Sequence, residues 1–138
     1  MGIQITKNKK HYVLFIMKSE NKLYHYNAEV TRVVDGDTID AFIDLGFDMH
    51  SKQRVRLYGI NTPEVRTRNL EEKKAGLAAS ARLNELLNAN KNRCVIRTSL
   101  DKKGKYGRVL GTIYVDDINI NEMLLSEGHA KEYFGGKK

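Results

Sequence analysis

Three short stretches concentrate the side chains that could do chemistry. Val34-Asp-Gly-Asp-Thr38 sets two carboxylates around a glycine. Oxygen donors of that kind suit a hard cation, although Asp and Gly also make plain turns for local reasons. Asn61-Thr-Pro-Glu64 joins an amide, the only proline of the chain and a carboxylate. A proline at that place also serves simply to end a strand. Lys105-Tyr-Gly-Arg108 brings two cations and an aromatic ring to the mouth of a strand, where a solvated basic loop would look the same. Cys94 is centred in an apolar run, as a core cysteine would be. The four histidines are scattered, and one cysteine allows neither an internal disulfide nor a thiolate metal site.

These stretches lie in a chain of 138 residues, enough for one domain with one core. It is 41% hydrophobic and 30% charged, the balance of a globular protein and not of a disordered one. Twenty-four Lys and Arg stand against 17 Asp and Glu, a net charge of +7. That excess suits a polyanionic partner such as nucleic acid, and the charge alone would also suit an anionic membrane surface. The apolar run Val13–Met17 is too short for a secretory leader, and no run is long enough to cross a membrane. The sequence as it stands reads as cytoplasmic, and as secreted if a leader has been removed.

Elements must hold the three stretches in place. Residues 1–24 read as an extension, with one extra strand over His11–Met17. The domain proper is expected over 25–134, and 135–138 is a basic tail. Ala28–Val34 reads as a strand, and Asp35-Gly-Asp37 as the turn into a second strand. There Ile39, Ala41, Ile43 and Leu45 alternate with Asp40, Phe42 and Asp44, the mark of a half-buried strand. A third strand is expected over 52–60, with Val55 and Leu57 on one face and Arg54, Arg56 and Tyr58 on the other. Pro63 ends it. From about Arg68 to Ala89 the period becomes helical, placing Ala75, Ala79, Leu83, Leu86 and Leu87 on one face. Gly76 interrupts that pattern. Strands follow over 93–99 and 108–115, separated by a basic loop, and then a short helix over 121–127 stopped by Gly128. Three strands, a helix, two strands and a helix make an α+β protein. Its five strands suit a small closed barrel of the OB type.

Taken in order, the pieces resemble the staphylococcal nuclease (thermonuclease) family. The resemblance rests on Val34-Asp-Gly-Asp-Thr38, Arg56 in Arg-Leu-Tyr-Gly-Ile, Thr62-Pro-Glu64, Lys105-Tyr-Gly-Arg108, and Asn121–Gly128 followed by Ala130 and Tyr133. It covers about residues 26–134. It implies a five-stranded OB barrel with about three helices, and calcium-dependent hydrolysis of phosphodiester bonds in DNA and RNA to 3′-phosphate products. Carried over residue by residue, Asp37, Asn61 and the Thr62 carbonyl would hold Ca2+. Glu64 would hold the attacking water, and Arg56 and Arg108 would stabilise the charge developing on the phosphate. Lys105, Tyr106 and Tyr133 would line the substrate groove, Phe134 being the alternative to Tyr133. The expected substrate is a single-stranded or locally open nucleic acid, with the enzyme a monomer and no membrane involved. One residue departs from the family motif, which carries Asp where this chain has Asn61. The site therefore lacks one ligand charge, and weaker calcium binding is expected. The alternative to a nuclease is a non-catalytic OB module that binds nucleic acid. Against it stands Glu64, a carboxylate for which a phosphate-binding surface has no use.

Overall fold

The computed structural model describes residues 22–99 and 109–135. The expected N-terminal strand, the basic loop with Lys105, Tyr106 and Arg108, and the last three residues lie outside them. Chain order is β1 (His25–Asp35), β2 (Thr38–Gly46), β3 (Met49–Leu57), β4 (Ile60–Asn61), α1 (Leu70–Asn88), β5 (Arg93–Thr98), β6 (Val109–Val115), β7 (Ile118–Asn119), α2 (Ile120–Ser126) and β8 (Lys131–Glu132).

Alternation decides the sheet. Ile39, Ala41 and Ile43 are buried while Phe42 and Asp44 face water, as the sequence pattern predicts, but Leu45, expected on the buried face, is 45% exposed where β2 runs out past the barrel core. The sheet runs β3-β2-β1-β5-β6-β7, and every neighbouring pair is antiparallel. A parallel pairing of β3 with β6, Val55 opposite Val109, closes it. The five long strands thus form the closed OB-type barrel expected of the α+β sequence. Inside it Ile39, Val55, Leu57, Ile96 and Ile113 are fully buried. Each such side chain contributes about 1.5–3 kcal/mol relative to exposure.

Helix α1 closes one side of the barrel. Its N-cap Asn69 accepts from the amides of Glu71 and Glu72 through Oδ1, at 3.0 and 3.2 Å, which satisfies two otherwise orphaned donors. The buried stripe is Gly76, Ala79, Leu83 and Leu87. The pattern misplaces one position: Ala75 is exposed and Gly76 takes its place against the body of the protein. The described residues contain two helices, where the resemblance implied about three. The third strand also differs. It runs Met49–Leu57 and not 52–60, because Gly59 turns the chain at φ +79° before β4. Only a residue at ease with positive φ sits there without strain.

A second, two-stranded sheet went unread in the sequence. Ile60 pairs with Glu132 and Asn61 with Lys131, so β8 returns to lie beside the Asn61 corner. Two-residue strands are too short to leave a periodic signal.

Candidate active site

The turn between β1 and β2 and the corner after β3 meet at one end of the barrel. Asp37 is 6% exposed and Thr62 4%. The Thr62 amide donates to Asp37 Oδ2 at 2.9 Å, and the Thr38 hydroxyl donates to Asp37 Oδ1 at 2.9 Å. One carboxylate therefore ties the two corners together. Such a charge-assisted bond is stronger than a neutral one.

Arg56 corrects its expected placement. Alternation puts it on the face opposite Val55 and Leu57, out of the barrel, yet it is only 8% exposed. The reason is local wrapping. Its Nη1 donates to the carbonyls of Leu57 at 3.2 Å and Asp37 at 3.4 Å. Its Nη2 donates to Asn61 Oδ1 at 3.1 Å and lies 3.4 Å from Asp37 Oδ2. The Tyr133 ring stands over the guanidinium, with its centroid 5.9 Å from Cζ, within range of a cation–π contact. The Tyr133 amide donates to Gly59 O at 2.9 Å, which fixes that approach. Phe134 lies differently: it meets Tyr58 edge-on at 5.7 Å. Of the two neighbouring aromatics, Tyr133 is the one against Arg56.

Asn61, Asp37, Thr62, Arg56 and Tyr133 thus come together. Glu64 is half-buried and lines a cleft beside Thr38. Lys105, Tyr106 and Arg108 lie outside the described residues. Val109, which follows Arg108, pairs with Val55, and Leu110 with Arg56. Cys94 lies in the core, 6% exposed, and burial pushes its thiol up to about 12. A thiol held protonated is no nucleophile.

Two supporting residues were missed. Asn121 is buried at the start of α2. Its Oδ1 accepts from the Ile113 amide at 3.1 Å, and its Nδ2 donates to the carbonyls of Tyr58 at 2.9 Å and Gly111 at 3.2 Å. It thereby pins the turn that leads into the Asn61 corner. Gly76 is the other. A Cβ there would meet the carbonyl oxygens of Pro63 at 2.7 Å and Glu64 at 2.8 Å. Its only sequence signal was a glycine inside a helical pattern, a position that usually has a packing reason.

The side-chain oxygen donors at this corner are the Asp37 carboxylate and the Asn61 amide oxygen, both against Arg56 Nη2, with the Glu64 carboxylate lining the cleft beside Thr38. That set suits a hard cation in chemical type. Among the described residues no three His, Cys, Asp or Glu side chains group as metal ligands.

A closed five-stranded barrel with acid, amide and arginine gathered at one end defines an α+β protein of the OB class. The family model described as staphylococcal nuclease homologue matches residues 54–138, and the chain belongs to that family. Among curated proteins it is similar to Endonuclease YncB of Bacillus subtilis, 34% identical over 82% of this chain and 51% of that one. It is 36% identical to the SPbeta prophage-derived endonuclease YokF of the same organism, over 76% of this chain and 33% of that one. It is 37% identical to the Thermonuclease of Staphylococcus intermedius, over 76% of this chain and 58% of that one. The chain spans about half the length of YncB and a third of YokF.

Proposed function

We propose that the protein is a divalent-cation-dependent nuclease that hydrolyses phosphodiester bonds of DNA and RNA. The observation that carries this reading is the buried contact of Arg56 with Asp37 and Asn61, beside the cleft lined by Glu64. Family membership and the nuclease names of its relatives support it.

Asp37, Asn61 Oδ1 and the Thr62 carbonyl would hold Ca2+, which supplies positive charge at the scissile phosphate. Glu64 holds the attacking water by hydrogen bond and takes its proton. Arg56 is aimed before substrate arrives: its contacts with Leu57, Asp37 and Asn61 fix its plane. A preset guanidinium stabilises developing charge on the phosphate oxygens without reorganising. Arg108 would supply the second guanidinium. Lys105, Tyr106 and Tyr133 would hold the strand through a phosphate and through bases or sugars. As water bonds to phosphorus the P–O5′ bond would break, leaving a 3′-phosphate on one product and a 5′-hydroxyl on the other, its oxygen taking a proton from solvent.

The test is incubation with single-stranded DNA in calcium and in chelator, for the parent and for Glu64→Ser. Cleavage is expected only in calcium, with a loss of about 10²–10⁴-fold or more in the variant. Retained binding without cleavage by the parent would leave a nucleic-acid-binding OB module instead.

A further inference from the structure

The hairpin of β2 and β3 is longer than the barrel it helps to build. The pairing of β1 with β2 ends at Ala28 and Ile43, yet β2 runs on to Gly46. Past that point the two faces of the hairpin differ. On the outer face the rings of Phe42 and His50 stack, with centroids 4.6 Å apart. On the other face, in step with Ile39, Ala41 and Ile43, the apolar side chains continue as Leu45 and, next to His50 on β3, as Met49. Among the described residues these stay uncovered: Met49 is 60% exposed and Phe47, at the tip, 98%. Phe47 and Asp48 also hold φ of +53° and +60°. A turn of that shape suits Asn or Gly, and a bulky ring there is strained. A strained, exposed phenyl group beside two exposed apolar neighbours marks a surface that another segment covers.

The chain itself enters at this end. Counting on from the Ala28–Ile43 pair, three residues in each strand, brings Gly46 level with His25, where β1 starts. Before His25 the chain turns. The His25 amide donates to the Lys22 carbonyl at 3.3 Å, and Tyr24 holds φ +62°. A turn closed in this way reverses the chain, so what precedes Lys22 is sent back along β1 and not away from the barrel. Its side is fixed as well. The Tyr24 carbonyl accepts from the Thr98 amide, on the side of β5, at 2.9 Å. The His25 amide, one residue on, therefore points to the side of β2. Four residues, 18–21, separate Lys22 from the apolar run at 11–17. Five steps of chain reach about 17 Å, and neighbouring strands stand about 4.8 Å apart. The Val, Leu, Phe and Ile of that run favour an extended, buried place. Lys7, Lys9, Lys10 and Lys18 flank it, and the hairpin tip carries the exposed carboxylates of Asp44 and Asp48.

We propose that residues 11–17 of this chain fold back onto the apolar side of the β2–β3 hairpin and cover Leu45, Phe47 and Met49. Apolar contact holds the segment, with its lysines set against Asp44 and Asp48. A second copy of the chain is the competing occupant, because among the described residues Met49–Arg54 has a strand beside it only on the β2 side. The tether decides for the chain's own segment, which is always present at high effective concentration, whereas a copy must be gathered from solution. Asp37 lies at the other end of β2, so the proposal stands apart from the nuclease reading.

The test is hydrogen–deuterium exchange, read by mass spectrometry, on the full chain. The proteins are the parent, Leu14→Asp/Ile16→Asp, and Leu45→Ser/Phe47→Ser/Met49→Ser. In the parent the amides of residues 11–17 are expected to exchange about tenfold or more slower than those of an unstructured peptide, and both variants should lose that protection. In Leu14→Asp/Ile16→Asp the hairpin amides around Phe47 should exchange faster too. Strand β5, Arg93–Thr98, should keep its protection throughout, which shows that the barrel stays folded. Free exchange over 11–17 in the parent overturns the proposal, and so does protection that survives in the folded hairpin variant. Sedimentation at low and high protein concentration separates the two occupants. A monomer whose segment is protected at every concentration supports docking within one chain. Protection that appears only where a dimer forms gives the surface to a second copy and overturns the proposal.

Discussion

Gly76 lies against the main chain of Glu64 with no room for a side chain: a Cβ would stand 2.8 Å from the Glu64 carbonyl oxygen and 2.9 Å from its carbon. The helix thereby braces the corner that carries the carboxylate. Alanine at a helix interior ordinarily gains about 0.5–1 kcal/mol over glycine. Here the obstacle is backbone and cannot swing aside, and overpacking costs about 1–3 kcal/mol. Gly76→Ala is expected to lower stability in urea unfolding and to lower the cleavage rate by displacing Glu64. A stability gain would show that the corner yields freely.

Asn61 offers its amide oxygen where the family motif offers a carboxylate, and Arg56 Nη2 already donates to that oxygen at 3.1 Å. Calcium affinity rises with ligand charge. Asn61→Asp is expected to lower the calcium needed for half-saturation by on the order of tenfold. Calcium titration of both proteins, by calorimetry and by activity, checks it. The idea is wrong if the parent saturates at equal or lower calcium.

Asp37 holds two corners and faces a buried guanidinium. Asp37→Ala leaves Arg56 without its carboxylate and the Thr62 amide without its acceptor. Breaking a buried pair from one side costs about 3–5 kcal/mol. Asp37→Asn keeps an amide oxygen for Thr62 and should cost about 1–2 kcal/mol less. Urea unfolding of the three proteins compares them. Equal losses would mean that the Thr62 bond contributes nothing.

Acid should loosen the contact between the helices. Arg82 grips Glu127 through Nε at 2.7 Å and Nη2 at 2.8 Å, joining α1 to the end of α2. That hydrogen bonding holds the Glu127 carboxyl below its usual range. Arg54 does the same to Asp40. A carboxyl whose folded pKa is lowered stabilises the fold above its unfolded pKa, and that contribution is lost as pH falls through the folded value. The loss should begin below about pH 4. Thermal melts from pH 7 to 2 should show Arg82→Gln less stable than the parent near neutrality and converging with it in acid. A gap that stays constant with pH would remove the ion pair as its cause.

Much of this was legible in the sequence because it rests on periodicity and local chemistry. A period of two put Ile39, Ala41, Ile43, Val55 and Leu57 in the barrel, and all five are buried. A period near 3.6 found α1. The acid, amide and arginine stretches stood in the chain order of one family, and that order identified it.

The arrangement of the site was decided elsewhere. Period tells which face a residue takes and nothing about what later covers that face. Arg56 faces out of the barrel by alternation and is buried because Asn61, Asp37 and Tyr133 close over it. Tyr133 reaches it only because β8 pairs with β4, two residues to two. Gly76 reads as a flaw in a helix until Pro63 and Glu64 are found against it. The sequence by itself determined the barrel, the long helix and which residue types the corners carry, since these follow from neighbours along the chain. Only the tertiary structure decided how Arg56 is aimed and how Glu64 is braced, because both depend on contacts between segments far apart in sequence.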